Sequence, residues 1–344
     1  MLRRWRCCRM TAVSPVVEQR ARTSGLEMVR LIARSGILAT FVLAIVAFSI
    51  ARPDAFMTID NALTILNNTA VVGIIAVGVT VPLIIHEFDL TASALVSGAG
   101  FLVATLMTRE GMYWPAALVT TCLVCGAIGG LVGAIVSRNP GVSFIFTLGA
   151  ASVVGGVELW QGEAEAIFLG IPDGFKQIGQ GELFGEVRVP ILLLLAVCAA
   201  AWWWLARTQT GRDISVIAGN RRAAVAAGIE VRRIVVAAFV VSATAAGFAG
   251  VVATADAGAY YPAPGTSVLL SVFTAAFLGA AVSGRFGVVA SAFGALYLTV
   301  ISTGLQMLGV EHWVSLFVEG LVLVVAIALA RLGGAAASGP TLAH

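Results

Sequence analysis

Ten apolar runs dominate the sequence, at roughly 32–50, 61–84, 91–107, 115–136, 142–161, 189–206, 234–253, 268–283, 286–305 and 312–331, each bounded by charge, proline or glycine. A hydrocarbon layer about 30 Å thick is crossed by roughly 20 apolar residues in a helix. The runs are apolar on every side and do not alternate with a period of two, which argues against a transmembrane β-barrel. Hydrophobic residues make up 59% of the chain and charged residues 11%, against about 25% charged in a soluble domain. Soluble-enzyme readings start far behind on that ground, and no nucleic-acid partner is expected. The expected fold is an all-α polytopic membrane protein of about ten transmembrane helices, with the lipid bilayer as its surroundings.

Charge placement orients the chain. All 21 basic residues are arginine except Lys176. With the N-terminus in the cytoplasm, the arginines up to Arg34, Arg138, the six arginines of 207–233, Arg285 and Arg331 share one side. Only Arg52, Arg109, Lys176 and Arg188 remain outside, the asymmetry that cytoplasmic loops produce. The organisation expected is a basic, unpatterned cytoplasmic tail at 1–31, a transmembrane domain at 32–331 and a cytoplasmic tail at 332–344. Two loops stand out: an external one at 162–188, net negative through Glu163, Glu165, Asp173, Glu182 and Glu186, and the internal arginine-rich one at 207–233.

Ten spans divide into two halves of five, and an odd number per half forces the second half to run inverted relative to the first. The second and seventh spans each lead into a polar break, His86 to Thr91 and Asp256 to Thr266, followed by a small-residue segment. Matching interruptions point to a transport path, although two ordinary loops would give the same pattern. In the fourth span Gly126, Gly129, Gly130 and Gly133 form overlapping small-xxx-small spacings that let helices approach closely.

Ionisable groups inside a membrane are costly, so His86, Glu87 and Asp89 are candidates to line the path, as hydrogen-bond partners for a solute or as a proton relay. An interfacial loop with solvated side chains is the alternative. Asn67, Asn68 and Asp256 are weaker path candidates. Glu158 is expected near the outer interface and Glu319 to pair with a neighbouring helix, while Trp202, Trp203, Trp204, Tyr260 and Tyr261 read as headgroup-layer anchors. One histidine and two carboxylates are too few for a metal site, and Cys122 and Cys125 read as small packing residues. No catalytic triad can be assembled. A phosphate-binding loop needs Lys followed by Ser or Thr, but Lys176 precedes Gln177, so any ATP hydrolysis must occur on another chain.

The basic loop reads Thr208-Gln209-Thr210-Gly211-Arg212, then Ala218-Gly219-Asn220, Ala223-Ala224 and Gly228-Ile229-Glu230-Val231. In order and spacing this resembles the permease family of bacterial ABC importers for ribose, xylose, arabinose, galactose and related solutes, whose loop runs T-x-x-G-R, A-x-G-x-N-x-x-A-A and G-I-x-V. The stretch from Asn61 to Thr80, Asp89-Leu90, Thr147-Leu148-Gly149, Gly304-Leu305 and Leu308-Gly309-Val310 match further blocks, so the likeness covers about 55–331. Two departures stand out. Glu87-Phe88-Asp89-Leu90-Thr91-Ala92-Ser93 replaces the family's G-I-D-L-S-V-G, and a glycine-rich block keeps only Gly279, Gly284 and Gly287.

The resemblance implies a non-enzymatic permease in the bacterial inner membrane, with both termini cytoplasmic, giving passage to a sugar or sugar-like solute. It needs no cofactor of its own, since ATP and magnesium would be bound by a partner ATPase. An extracytoplasmic solute-binding protein would deliver solute, and a second permease copy or homologue would complete the pore. The ATPase would dock on Gly211, Arg212, Gly219, Asn220, Ala223, Ala224 and Gly228, and Gly228→Arg is expected to abolish coupling. If the altered segments line the path, the solute differs from the common pentoses and hexoses. Branched-chain amino acids are the runner-up solutes. An ion-coupled secondary transporter using His86, Glu87 and Asp89 as a proton site is the alternative from another class, and a membrane enzyme is a distant third.

Overall fold

The computed structural model describes residues 35–139, 141–183, 187–262 and 265–332. The expected tail at 1–31, with Cys7 and Cys8, and all but the first residue of the tail at 332–344 lie outside the described residues. The elements are α1 (Ser35–Ala51), α2 (Pro53–Phe56), α3 (Ile59–Ile84), α4 (Thr91–Thr108), α5 (Trp114–Arg138), α6 (Ser143–Gly162) and α7 (Asp173–Gln180). Two two-residue strands follow, β1 (Glu182–Leu183) and β2 (Val187–Arg188), paired antiparallel. Then come α8 (Val189–Arg207), α9 (Gln209–Gly219), α10 (Arg221–Ala226), α11 (Val231–Ala257), α12 (Gly265–Ser283), α13 (Val288–Met307) and α14 (His312–Leu332).

Seven helices, α3, α4, α5, α6, α8, α11 and α13, are long and apolar enough to cross a membrane. Shorter apolar helices at Ser35–Ala51, Val268–Ser283 and Trp313–Ala328 occupy the three remaining runs. The chain is therefore an all-α polytopic membrane protein.

Helix pairing reveals the internal repeat. In the first half α4 packs against α5 and α6; in the second, α12 packs against α13 and α14. Across the halves α5 lies along α11 as α13 lies along α3, α4 meets α11 as α12 meets α3, and α3 meets α11. Exchanging the four helices α3–α6 with α11–α14 returns the same list, which is what two equivalent halves produce. The first helix of each half departs from it. Phe41 of α1 sets its ring against Phe293 and Tyr297 of α13, whereas α8 packs on α3.

In lipid, helices gain little by hiding apolar surface from one another, so close packing decides which faces meet. The glycine stripe of α5 shows this. A side chain at Gly129 would start 2.4 Å from Ala243 Cβ and 2.5 Å from the Phe239 carbonyl oxygen of α11, and one at Gly133 would start 2.9 Å from Phe239 Cβ. The missing side chains are what let α5 and α11 touch backbone to backbone. Cys125, on the same helix, is buried in the central cluster with Ala99, Ala243 and Ala246, the packing role read from the sequence.

Candidate functional site

The loops separate the two ends of the bundle, a basic end holding α9 and α10 and an acidic end holding α7. At the basic end α3 stops in a turn set by its own backbone. Glu87 N–H donates to the Pro82 carbonyl and His86 N–H to that of Leu83, while His86 takes φ +63°. This is a Schellman ending with a left-handed residue, a place normally given to glycine, and a side chain there costs roughly 1–2 kcal/mol. His86 is thereby turned toward a cavity of about 1000 Å³, together with Arg212 and Ser215 of α9, Trp202 of α8, and Arg285 and Val289 around the start of α13.

The next residues turn elsewhere. Glu87 is buried and ion-paired to Arg221 of α10, Nη1 to Oε1 2.6 Å. Phe88 is held to α6 at both backbone groups: its N–H donates to Ser143 Oγ at 3.2 Å, and its carbonyl accepts from Thr147 Oγ1 at 3.2 Å. Thr91 Oγ1 donates to the Thr147 carbonyl. Thr147 of the Thr-Leu-Gly block thus fastens the break in place. Asp89 is buried, with Oδ1 accepting from Thr91 N–H and Oδ2 without a hydrogen-bond partner. Of the three ionisable residues in the break, only His86 lines the cavity.

At the acidic end Asn67 of α3 donates to Asp256 Oδ1 of α11 at 3.1 Å, joining the two halves. Asn68, next along α3, is exposed. The loop 162–188, read from sequence only as an acidic connection, contains α7, an amphipathic helix. It buries Phe175 completely and places Gln180 to donate to the Asp256 carbonyl. Ile167 and Tyr260 exchange backbone hydrogen bonds, so the loop also grips the break after α11.

Tyr260 corrects the sequence reading. It is not an interfacial anchor but buried, 3% exposed, and donates to Glu158, which also accepts from Ser97. Its neighbour Tyr261 is exposed, as an anchor would be. Glu319 pairs with a neighbouring helix as expected, accepting from Ser271 Oγ of α12 at 2.8 Å. Phe175→Ala should cost about 3 kcal/mol locally. Hydrogen exchange should then speed up through 163–188 while α3 and α11 keep their protection.

The basic loop is a helical hairpin. Thr208 caps α9 by accepting from Gly211 N–H, and Asn220 caps α10 by accepting from Ala223 N–H. Gly228 closes α10 with φ +83°, its N–H donating to Val225 and that of Ile229 to Ala224, a second Schellman ending. Ala224, Ile214 and Ile217 face inward against Val81 and Ile85, whereas Arg212, Val216, Gly219, Arg222, Ala223 and Val225 are exposed. Ala224 is therefore a packing residue beneath the surface that Ala223 and Val225 present.

The sequence of this chain is similar to those of known proteins. Residues 61–327 match the family described as the branched-chain amino acid transport system permease component. The ribose import permease protein of Haemophilus influenzae is 30% identical over 312 residues, 89% of this chain and 95% of that one. The D-allose transport system permease protein of Escherichia coli is 29% identical over 85% of this chain and 90% of its own length. The L-arabinose ABC transporter permease protein of Azospirillum brasilense is 27% identical over 87% of each. No solved structure matches the chain.

Proposed function

As a member of the permease-component family of the branched-chain amino acid transport system, this chain is a multi-pass transport permease, and we propose that it carries a sugar or sugar-like solute in an ATP-driven importer. Three relatives matching over most of its length carry sugar names, which favours a sugar over a branched-chain amino acid. The observation that carries the ATP-driven part is the hairpin α9–α10. It packs its Ile214, Ile217 and Ala224 face onto the bundle and presents Val216, Ala223 and Val225 outward beside the cavity.

In this reading a separate ATPase binds that exposed face at the cytoplasmic membrane, holding ATP and magnesium itself. An extracytoplasmic binding protein delivers solute at the acidic end. The cavity at the basic end and the covering by α7 and the Ile167–Tyr260 bridge at the acidic end suit a permease open toward the cytoplasm. The orientation follows from the arginines of 207–233.

Reconstitution in liposomes with a candidate ATPase and solute-binding protein from the same organism tests the reading. ATP-dependent accumulation of ribose, allose or arabinose, and none driven by a pH gradient alone, is expected. Uptake driven by a pH gradient without any ATPase would instead favour ion coupling.

A further inference from the structure

The Glu87–Arg221 ion pair joins the docking hairpin to the break between α3 and α4. Among the described residues, the other ion pairs, Lys176–Asp173 and Arg233–Glu230, each link positions three apart in sequence. Glu87–Arg221 instead spans 134 positions and ties two separate elements. Its ends are fixed by different devices. Glu87 follows the left-handed His86 and donates its own N–H to Pro82, so its carboxylate leaves a backbone already held in one shape. Arg221 is the first residue of α10, directly after the capping Asn220.

The pair is asymmetric in burial, 3% exposed for the Glu87 side chain and 32% for that of Arg221. A carboxylate shut away from water without a partner is strongly disfavoured, whereas a partly exposed guanidinium can turn to water. A displacement of α10 therefore either takes the α3–α4 turn with it or strands a buried charge. That turn also carries His86 on the cavity wall and is stitched to α6 through Ser143 and Thr147.

We infer that Glu87 and Arg221 are positioning residues that transmit movement of the α9–α10 hairpin to the α3–α4 turn and so to the width of the cavity at its basic end. This rests on reading the hairpin as the ATPase docking element. Neither residue contacts solute in this role, and Glu87 leaves the set of path-lining candidates.

The test uses the full permease reconstituted with its ATPase, its native cysteines replaced, and Val289→Cys on the cavity wall as the reporter of thiol labelling. With the pair intact, trapping nucleotide on the ATPase should slow labelling by about tenfold, a span typical of coupling between sites. E87Q, R221Q and the double variant should each reduce that protection to less than about twofold while the ATPase still co-purifies. R221K, which keeps the charge, should retain most of it. The double variant removes both charges and so folds even if R221Q, which strands a buried carboxylate, does not. Because the two groups act as one link, the double variant should be no worse than the more damaging single one. Protection unchanged in the double variant overturns the inference and leaves the importer reading intact. A permease with the pair intact that neither retains an ATPase nor shows protection overturns both.

Discussion

Gly129→Leu should yield little or no folded permease, while Gly130→Ala, one position along the same helix, should melt at or slightly above the temperature of the unaltered protein. At Gly129 the first added carbon meets a backbone carbonyl at 2.5 Å and Ala243 Cβ at 2.4 Å, neither of which can swing away. Helices α5 and α11 would have to separate along a contact that also positions α3 and α4 against α11. Overpacking of a tight core typically costs about 1–3 kcal/mol, and a leucine at a backbone contact lies at or beyond the top of that range. At Gly130 the nearest atom is Val240 Cγ2 at 3.4 Å, on a side chain with room to adjust. Alanine there gains up to about 1 kcal/mol of helix propensity. Monodisperse yield by size-exclusion chromatography and melting in one detergent measure both. Equal behaviour of the two variants would mean that α5 and α11 do not meet through this stripe.

Gly211→Val should lower ATP-driven uptake by about a hundredfold, toward the upper end of coupling between sites, while the membrane-spanning part remains folded. A Cβ at Gly211 would lie 2.1 Å from the Leu205 carbonyl oxygen, so the corner between α8 and α9 must open and carry the hairpin off its seat. Gly219, a docking candidate by sequence, has open space around it, and Gly219→Ala should transport normally. Uptake in liposomes, with helical content and elution volume as controls, separates the two. Equal uptake by both variants would show that the corner does not set the hairpin's position.

The geometry also refines what Gly228→Arg measures. Gly228 is exposed with nothing near an added Cβ, so arginine would not clash; it would cost roughly 1–2 kcal/mol for the left-handed backbone and place a charge on the exposed face of the hairpin. Asparagine tolerates that backbone better than other side chains. Gly228→Asn retaining uptake while Gly228→Arg loses it would assign the effect to docking, and loss in both would assign it to the turn.

Much of the architecture is legible because lipid simplifies the problem. A helix that crosses a bilayer must be apolar over most of its length, so the runs expose the spans, and the arginine bias suggests their direction. The hairpin at 207–233 is legible through the order of its Gly, Asn and Ala positions, several of which serve a local backbone need. Gly211 sits at the tight corner, Asn220 caps a helix and Gly228 takes a left-handed turn. The small helix α7 is harder to see, because eight residues mixing charge and glycine resemble a polar loop. Phe175, Ile178 and their spacing are the available signal.

What the sequence by itself determined is the local part: an all-helical membrane chain, the positions of its apolar runs, the motifs of the basic loop and the absence of a nucleotide-binding loop of its own. Those features depend on hydrophobic length, backbone preference or the order of neighbouring residues. What only the tertiary structure decided is the partner of each buried polar group. His86, Glu87 and Asp89 form one cluster in sequence, yet the left-handed turn sends His86 to the cavity, Glu87 to Arg221 and Asp89 inward. Tyr260 has the sequence position of an anchor and instead holds Glu158. The desolvation of a charge is settled by whatever group a distant segment brings within about 3 Å, and no local pattern specifies that distance.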